Sequence, residues 1–253
     1  IDEHRQRALN PEHPVIRGTS ANPDTYFQSR EATNPWYDAV YAHVETAMND
    51  FAAATGRQYK PFEFYGHPQA ERVIVIMGSA IGTCEEVVDE LLSRGEKVGV
   101  LKVRLYRPFS AAHLLDVLPE SARAVAVLDR TKEPGALAEP LYLDVMTALA
   151  EAFNRGERET LPRTIGGRYG LSSKEFGPEC VLAIFNELSA AKPKPRFTVG
   201  IYDDVTNLSL PLVENTLPSE AKLEALFYGL GSDGSVSATK NNIKIIGNST
   251  PWF

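Results

Sequence analysis

Short runs of β-branched and apolar residues alternate with helix-like segments through the middle of the chain, and this alternation limits the fold more than any other feature. Three runs predict buried strands, at residues 72–77, 97–103 and 123–128, and a weaker run predicts a fourth strand at residues 163–165. Helical patterns occur at residues 83–94, 110–118, 139–155 and 178–191. Strands that alternate with helices usually pair in parallel, so residues 67–191 are predicted to form an α/β domain with a doubly wound, mainly parallel sheet. The continuous apolar runs indicate that both faces of this sheet are covered.

The segments that flank this domain differ from it in composition. Residues 1–34 are rich in Asn, Pro and Arg without hydrophobic periodicity, which predicts an extended tail. Pro35 then begins an amphipathic helix that ends near Gly56, and a turn-rich connector follows at residues 60–68. We divide the chain into the exit segment of a preceding domain (1–66), the α/β domain (67–191), a linker (192–222) and the truncated start of another domain (223–253).

A glycine-rich turn of sequence GLGSDG occupies residues 229–234, between an apolar run at 223–228, predicted to be a strand, and a segment predicted to be helical. Such a turn brings backbone N–H groups and a helix N-terminus to a phosphate. A dinucleotide site also needs a second strand and an acidic residue about 20 positions further on. Neither follows here, and the first residue is Ile1, so we expect the chain to be a piece of a larger protein.

Two glycine-bearing turns are candidates for an anionic ligand. In the first, residues 78–83, Thr83 and Glu86 form a predicted capping box, and further carboxylates nearby would repel a phosphate. This turn is interpreted as architectural, although contact with a partner domain's cofactor stays open. The second turn, residues 229–234, has hydroxyl side chains and Lys240 close by and only Asp233 as a neighbouring anion. This second turn is better suited than the first to bind an anionic ligand, and a purely structural role for it also stays open.

Charged residues follow two of the predicted strands at the edge where doubly wound sheets bind ligands. Residues 129–135 read DRTKEPG after the third strand, and Arg104 and Arg107 follow the second. Either a functional site or a set of salt-bridged turns is consistent with this pattern.

Composition limits the classes of partner. The net charge is -7 and no basic cluster occurs, which disfavours nucleic acid. No apolar run approaches the length of about 18 residues that spans a bilayer, so we expect a cytoplasmic protein. Cys84 and Cys180 are the only cysteines, and the five histidines lack metal-binding spacing. No metal site and no catalytic residue is therefore predicted.

Several segments together resemble the pyruvate:ferredoxin (flavodoxin) oxidoreductase family. Residues 17–32 (RGTSANPDTYFQSREA) are similar to the exit from its first domain. The segments VRLYRPF (103–109), DRTKEPG (129–135) and GGRYGLSSKEF (166–176) are similar to its second domain, which is related to the transketolase C-terminal domain. Residues 197–210 (FTVGIYDDVTNLSL) resemble the connector, and residues 228–247 (YGLGSDGSVSATKNNIKIIG) resemble the start of its third domain.

The resemblance implies a function for the parent protein. Members of the family decarboxylate pyruvate on thiamine diphosphate with Mg, pass electrons through iron–sulfur clusters to ferredoxin or flavodoxin, and transfer the acetyl group to coenzyme A. The resemblance also implies that the parent protein is a homodimer and that its other domains bind these cofactors. Because the family's third domain binds coenzyme A, the resemblance assigns coenzyme A contacts to Gly231, Ser232, Asp233, Gly234, Ser235, Lys240 and Asn241. The fragment alone is expected to be inert. A dinucleotide-binding module and a purely scaffolding module are the alternatives.

Overall fold

The computed structural model describes residues 1–8, 10–12, 20–214, 217 and 225–251. The chain divides into two compact units, residues 1–215 and residues 216–253, and each is described by itself. Parts of several predictions lie outside the described residues. They are residues 9 and 13–19 of the tail predicted to be extended, which include the start of the family-like segment at 17–19, the end of the linker, the first two residues of the strand predicted at 223–228, and residues 252–253 of the last segment.

A six-stranded sheet forms the centre of the first unit. Its strands are β1 (Phe62–Gly66), β2 (Arg72–Met77), β3 (Val98–Val103), β4 (Ala124–Asp129), β5 (Arg163–Arg168) and β6 (Arg196–Thr198). Their order across the sheet is β1-β3-β2-β4-β5-β6. All neighbours pair in parallel except β1, which is antiparallel to β3. The predicted doubly wound, mainly parallel sheet is confirmed.

The helices of the described residues are α1 (Asp2–Gln6), α2 (Pro23–Glu31), α3 (Asn34–Thr55), α4 (Ile81–Ser93), α5 (Ala111–Val117), α6 (Pro140–Asn154), α7 (Pro178–Ser189) and α8 (Ser235–Ser249). Helices α4 and α7 contact each other and cover one face of the sheet, whereas α5 and α6 cover the other. The strands between these two layers are apolar, and every residue of β3 and β4 is buried. This arrangement explains why their sequences lack the alternation of a half-exposed strand.

Two strands were missed by the sequence analysis. Strand β1 lies in the segment expected to be a turn-rich connector, and β6 lies in the segment expected to be a linker. In β1 the Glu63 carboxylate binds the Lys102 ammonium of β3 at 2.6 Å, so the charge of this strand is paired within the sheet. In β6, three residues after a Pro-Lys-Pro run complete the ladder by pairing with β5.

The N-terminal prediction was wrong in part. Helices α1 and α2 occupy stretches of residues 1–34 that were expected to be extended. Asn22 at the N-cap and Pro23 in the first turn are favourable helix-start residues that outweigh the irregular composition. Helix α3 confirms the prediction of a helix from Pro35 to Gly56, and Gly56 ends it in the left-handed conformation with φ 74°.

In the second unit, the helix predicted after the glycine-rich turn is confirmed as α8. The strand predicted before the turn is not present in the part that the structure describes, because residues 225–230 have no regular secondary structure. Leu226, Tyr228 and Leu230 are largely exposed there. Among the described residues of this unit, these side chains therefore have no sheet partner.

Candidate functional site

The turn that leads into α8 has a backbone suited to glycine. Gly231 and Gly234 have φ angles of 82° and 83°, in the left-handed region, and Ser232 between them also has a positive φ of 49°. Gly229 is required for a different reason. A Cβ at this position would lie only 2.2 Å from the Ser235 hydroxyl oxygen, which approaches the Gly229 backbone closely. Residues 231–234 are exposed. The turn therefore presents its backbone to solvent at a helix N-terminus.

Asp233 already binds two of the turn's N–H groups. Its carboxylate accepts a hydrogen bond from the Leu230 amide at 2.7 Å and another from the Ser235 amide at 3.0 Å. Hydrogen bonding by the Ser235 side chain and by these amides lowers the pKa of Asp233 to about 2. The sequence analysis treated Asp233 as one of the contacts to a bound ligand. In the structure its carboxylate holds the turn together and occupies donors that a phosphate would otherwise use.

The other predicted contacts lie on α8. Ser235 is its first residue, and Gly234 is its N-cap without a side-chain cap. Lys240 and Asn241 are exposed. They lie about 7 to 9 Å along the helix from Ser235 at a rise of 1.5 Å per residue. Because helical side chains lean toward the N-terminus, the long Lys240 side chain is able to extend back toward the turn. The shorter Asn241 side chain covers less of that distance.

Asp129 at the carboxyl end of β4 has a structural role. Both of its oxygens accept backbone N–H groups from the start of α6, Leu141 at 2.9 Å and Tyr142 at 3.1 Å. Burial raises the pKa of Asp129 above its ordinary value, against the effect of these two hydrogen bonds. A carboxylate with both oxygens bound to a helix N-terminus fastens α6 to the sheet and is not presented to a substrate.

At the carboxyl edge, where the chain order reverses between β2 and β4, a side chain of the domain itself bridges the ends of the strands. The Tyr169 hydroxyl donates to the Met77 carbonyl at 2.8 Å, and the Tyr169 side chain is buried. Arg130 Nε donates to the Gly170 carbonyl at 2.9 Å. This is the position where open α/β sheets bind nucleotides. Here the buried Tyr169 side chain bridges it, whereas Arg130 is exposed at the adjoining ends of β4 and β5.

The two arginines that follow β3 are also paired. Arg104 forms an ion pair with Glu63, and Arg107 lies 2.7 Å from Asp144 and stacks on the Tyr106 ring. Of the two interpretations left open for this edge, the structure supports the salt-bridged one for these residues. A buried charge that the sequence analysis missed is Lys102, which contacts Glu63 at 2.6 Å and Glu85 at 2.8 Å. A lysine within an otherwise apolar strand was the available signal.

The first glycine-bearing turn differs from its prediction. Helix α4 begins at Ile81 with Ala80 as N-cap and has no side-chain cap, so the predicted capping box of Thr83 and Glu86 is wrong. The carboxylates that follow are held by other partners: Glu85 binds Lys102, and Asp89 accepts the Tyr65 hydroxyl at 2.6 Å.

The two cysteines are buried, free thiols. Burial raises the pKa of Cys84 to about 12 and also raises the pKa of Cys180. Thiols of this kind are poor nucleophiles and poor metal ligands. Within the described ranges, no group of three or more His, Cys, Asp or Glu side chains is arranged to hold a metal ion. Among the described helices, none combines the length and the apolar character needed to cross a membrane.

Comparison with known proteins identifies the family of this doubly wound domain. The family model described as pyruvate:ferredoxin oxidoreductase core domain II matches residues 70–170. The match begins just before β2 and ends just after β5, and it includes the Tyr169 and Asp129 contacts. Residues 70–170 therefore match core domain II of the pyruvate:ferredoxin oxidoreductase family.

Individual relatives extend the similarity over the whole chain. The chain is 88% identical over 253 residues to the probable pyruvate-flavodoxin oxidoreductase of Escherichia coli (strain K12), a match that covers 100% of this chain and 22% of the relative. It is 58% identical over 252 residues to the pyruvate-flavodoxin oxidoreductase of Rhodospirillum rubrum, covering 98% of this chain and 21% of the relative. The chain thus spans about a fifth of the length of these relatives.

A solved structure is also similar. It is a 2-oxoglutarate:ferredoxin oxidoreductase from Magnetococcus marinus with 2-oxoglutarate, coenzyme A and succinyl-CoA bound. The likeness covers 71% of this chain and 26% of that chain, with a TM-score of 0.41 and 20% sequence identity.

Proposed function

We propose that the chain is the second-domain region of a longer pyruvate:ferredoxin or flavodoxin oxidoreductase. The identity of 88% to the Escherichia coli relative over all 253 residues carries this proposal. The reaction of the whole protein converts pyruvate and coenzyme A to acetyl-CoA, carbon dioxide and a proton, and passes two electrons to ferredoxin or flavodoxin. The chain alone is inert in this proposal, because Arg104, Arg107 and Asp129 at its carboxyl edge are held by structural partners and its thiols are buried.

The domain limits that we propose for the parent follow the sequence division. Residues 1–66 would be the exit from a preceding domain, residues 67–191 the α/β domain, residues 192–222 the connector, and residues 223–253 the start of the coenzyme A-binding domain. Strands β1 and β6 lie outside 67–191 but complete its sheet. The flanking segments would therefore contribute to the stability of the second domain while leading to its neighbours.

The metal-containing cofactors implied by the family do not fit the described residues of this chain. Iron–sulfur clusters need several thiolates, whereas Cys84 and Cys180 are buried and protonated. The Mg that accompanies thiamine diphosphate needs grouped oxygen ligands, and the described residues hold no such group. In our proposal these cofactors are bound elsewhere in a cytoplasmic, dimeric parent, which also holds the surface for its electron acceptor.

The proposed contribution of this chain is to position coenzyme A through the turn before α8. Exposed backbone at Gly231 and Gly234, the Ser232 hydroxyl, and a cation at Lys240 match what a phosphate group requires. The Ser235 side chain, which hydrogen-bonds to Asp233, would help to hold the turn. Asn241 would add an amide donor at longer range. Asp233 would act indirectly, because its carboxylate keeps the turn in the required shape.

Steady-state kinetics of the longer protein test this role. Lys240→Ala should raise the apparent KM for coenzyme A about tenfold, the effect of losing one exposed charge-assisted contact, with kcat unchanged. Lys244→Ala is the matched control, since Lys244 is exposed on the same helix but about 6 Å further from the turn. The assay is reduction of flavodoxin that depends on both pyruvate and coenzyme A. Equal KM values for the two variants would refute the coenzyme A role.

A glycine substitution gives a second test. Gly234→Val places a β-branched residue at a φ of 83°, which should distort the turn and raise the KM for coenzyme A. Gly234→Asn is its control, because asparagine adopts left-handed backbone more readily. A KM that both variants leave at the wild-type value would show that the turn does not bind coenzyme A.

One observation favours an alternative in which the α/β domain is purely a scaffold. The buried Tyr169 side chain bridges the position where nucleotides bind in this fold. The dinucleotide alternative has less support, because the described residues before the glycine-rich turn form no strand. Thermal unfolding with NAD and with coenzyme A separates these functions, since a ligand that binds the folded state raises the Tm.

A further inference from the structure

Exposed aromatic side chains are concentrated near the start of the first unit. Tyr26 and Phe27 of α2 are 56% and 66% exposed, and Trp36 and Tyr37 of α3 are 78% and 53% exposed. Single exposed apolar residues are common on protein surfaces, but four aromatic residues within 12 positions are a concentration that usually marks an interaction site. We call residues 23–37 the aromatic segment.

The helices that carry the aromatic segment lack the packing that normally stabilises a helix. Helix α2 has nine residues and no buried side chain, and α3 buries only Tyr41 of its 22 residues. Tyr41 stacks on His113 of α5, with ring centroids 4.3 Å apart, well beyond the aromatic segment. Isolated helices shorter than about 12 residues are marginal in water. A helix such as α2 therefore needs a surface to pack against.

The area of the aromatic segment limits the kind of partner. Aromatic side chains present roughly 150–250 Å² each, so at these exposures the four leave about 500 Å² in solvent. One side of a stable interface between separate proteins buries about 800 Å². A smaller area is sufficient when the partner belongs to the same chain, because tethering raises the effective concentration to the millimolar range.

We propose that the aromatic segment docks against another domain of the same longer polypeptide, one that lies outside residues 1–253. The match to only 22% of the Escherichia coli relative supplies the argument for such a domain. This inference rests on the proposed function only in placing the chain within that longer protein. The buried contact orders α2 and fixes the direction in which the chain enters the α/β domain.

Site-directed photo-cross-linking in the longer protein tests the docking. The photoreactive p-benzoyl-phenylalanine replaces Trp36, an exposed position that tolerates an aromatic substitute, and the same group replaces Phe153 of α6 as the control. Protein with natural isotopes is mixed with protein labelled with nitrogen-15 before irradiation, so that mass spectrometry separates links within one chain from links between copies. The readout does not depend on activity and is independent of the coenzyme A tests.

The expected product joins position 36 to a peptide outside residues 1–253 of the same isotopic composition, in higher yield than any product from position 153. A product of mixed isotopes would show that a second copy covers the segment, and would overturn the proposal. So would a link confined to residues 1–253, or a yield no higher than the control. Hydroxyl-radical oxidation of the wild-type protein adds a measurement without a variant. Trp36 should be oxidised several-fold faster after unfolding in urea, whereas equal rates would contradict docking.

Discussion

The Tyr169 hydroxyl donates a hydrogen bond to the Met77 carbonyl at 2.8 Å, and this bond joins the ends of β5 and β2 across the intervening strand β4. Burial raises the pKa of Tyr169 to about 12, so the hydroxyl stays protonated as a donor at any physiological pH. The side chain lies where related folds bind their ligands. In this domain the buried Tyr169 side chain is part of the core.

Tyr169→Phe should lower the free energy of unfolding by about 1–2 kcal/mol, because the Met77 carbonyl loses its partner in a partly buried site. Tyr142→Phe is the control. Its hydroxyl lies 3.5 Å from the Thr164 carbonyl, beyond normal hydrogen-bond length, so the loss should stay below about 0.5 kcal/mol. Urea unfolding followed by circular dichroism measures both variants. Equal losses would mean that the Tyr169 contact contributes nothing specific.

Lys102→Met should destabilise the fold by about 2–4 kcal/mol, because it leaves the Glu63 and Glu85 carboxylates without the cation between them. Lys97→Met is the control, at the residue just before β3. It should lower the free energy of unfolding by less than about 0.5 kcal/mol, since the Lys97 ammonium is half-exposed and lies 3.8 Å from Glu71. The comparison uses the same urea titration. If Lys102→Met proved neutral or stabilising, methionine packing would have compensated for the lost ion pair.

Removing Lys102 also changes the response to acid. Burial raises the pKa of Glu63, but hydrogen bonds and charges from Lys102 and Arg104 outweigh it and lower this pKa below 4.5. Stability from a lowered carboxyl pKa is present above the unfolded value and is lost as the pH falls through the folded value. The wild-type chain should therefore lose more stability than Lys102→Met between about pH 5 and pH 3. Parallel pH profiles would contradict this.

The Asp233 carboxyl should titrate near pH 2 instead of its ordinary 3.8, as measured by carbon-13 NMR. Ser235→Ala should move the midpoint toward 3.8, because the Ser235 side chain is the largest cause of the lowering. Ser237→Ala is the control on the same helix. The order of the turn would then persist at pH 4 and be lost as the pH falls toward 2. A midpoint that Ser235→Ala leaves unchanged would disprove the hydrogen-bonded arrangement.

Cys84 and Cys180 should react with a thiol reagent only when the fold opens, since both are fully buried. Labelling with an aromatic disulfide should be slow in the native chain and complete within minutes in guanidinium chloride. Rapid labelling of either thiol in the native chain at pH 8 would show that its surroundings open readily.

Much of the sheet was predictable because its strands carry their own signal. The β-branched runs of β2, β3 and β4 placed the strands to within one residue at each end, since burial on both faces demands continuous apolar sequence. Strands β1 and β6 were not predictable in this way. Glu63 of β1 is paired by Lys102 of the neighbouring strand and by Arg104, and β6 has three residues that are stabilised by pairing with β5.

The candidate site was predictable in position but not in detail. The glycine pattern located the turn at residues 229–234 and the helix after it. Sequence alone gave no reason to expect that the Asp233 carboxylate binds the N–H groups of Leu230 and Ser235, because that contact depends on the left-handed backbone between them. The charges at the carboxyl edge were ambiguous for another reason. Tertiary packing, which the sequence does not show directly, decides whether Asp129 faces a ligand or a helix N-terminus.

The most direct test of the account is to purify the native protein with an antibody against the α/β domain, and to measure its mass and its activity together. We predict a chain several times heavier than 27.8 kDa that reduces flavodoxin only when both pyruvate and coenzyme A are present. A free chain of 27.8 kDa without this activity would contradict the account and leave an independent α/β module.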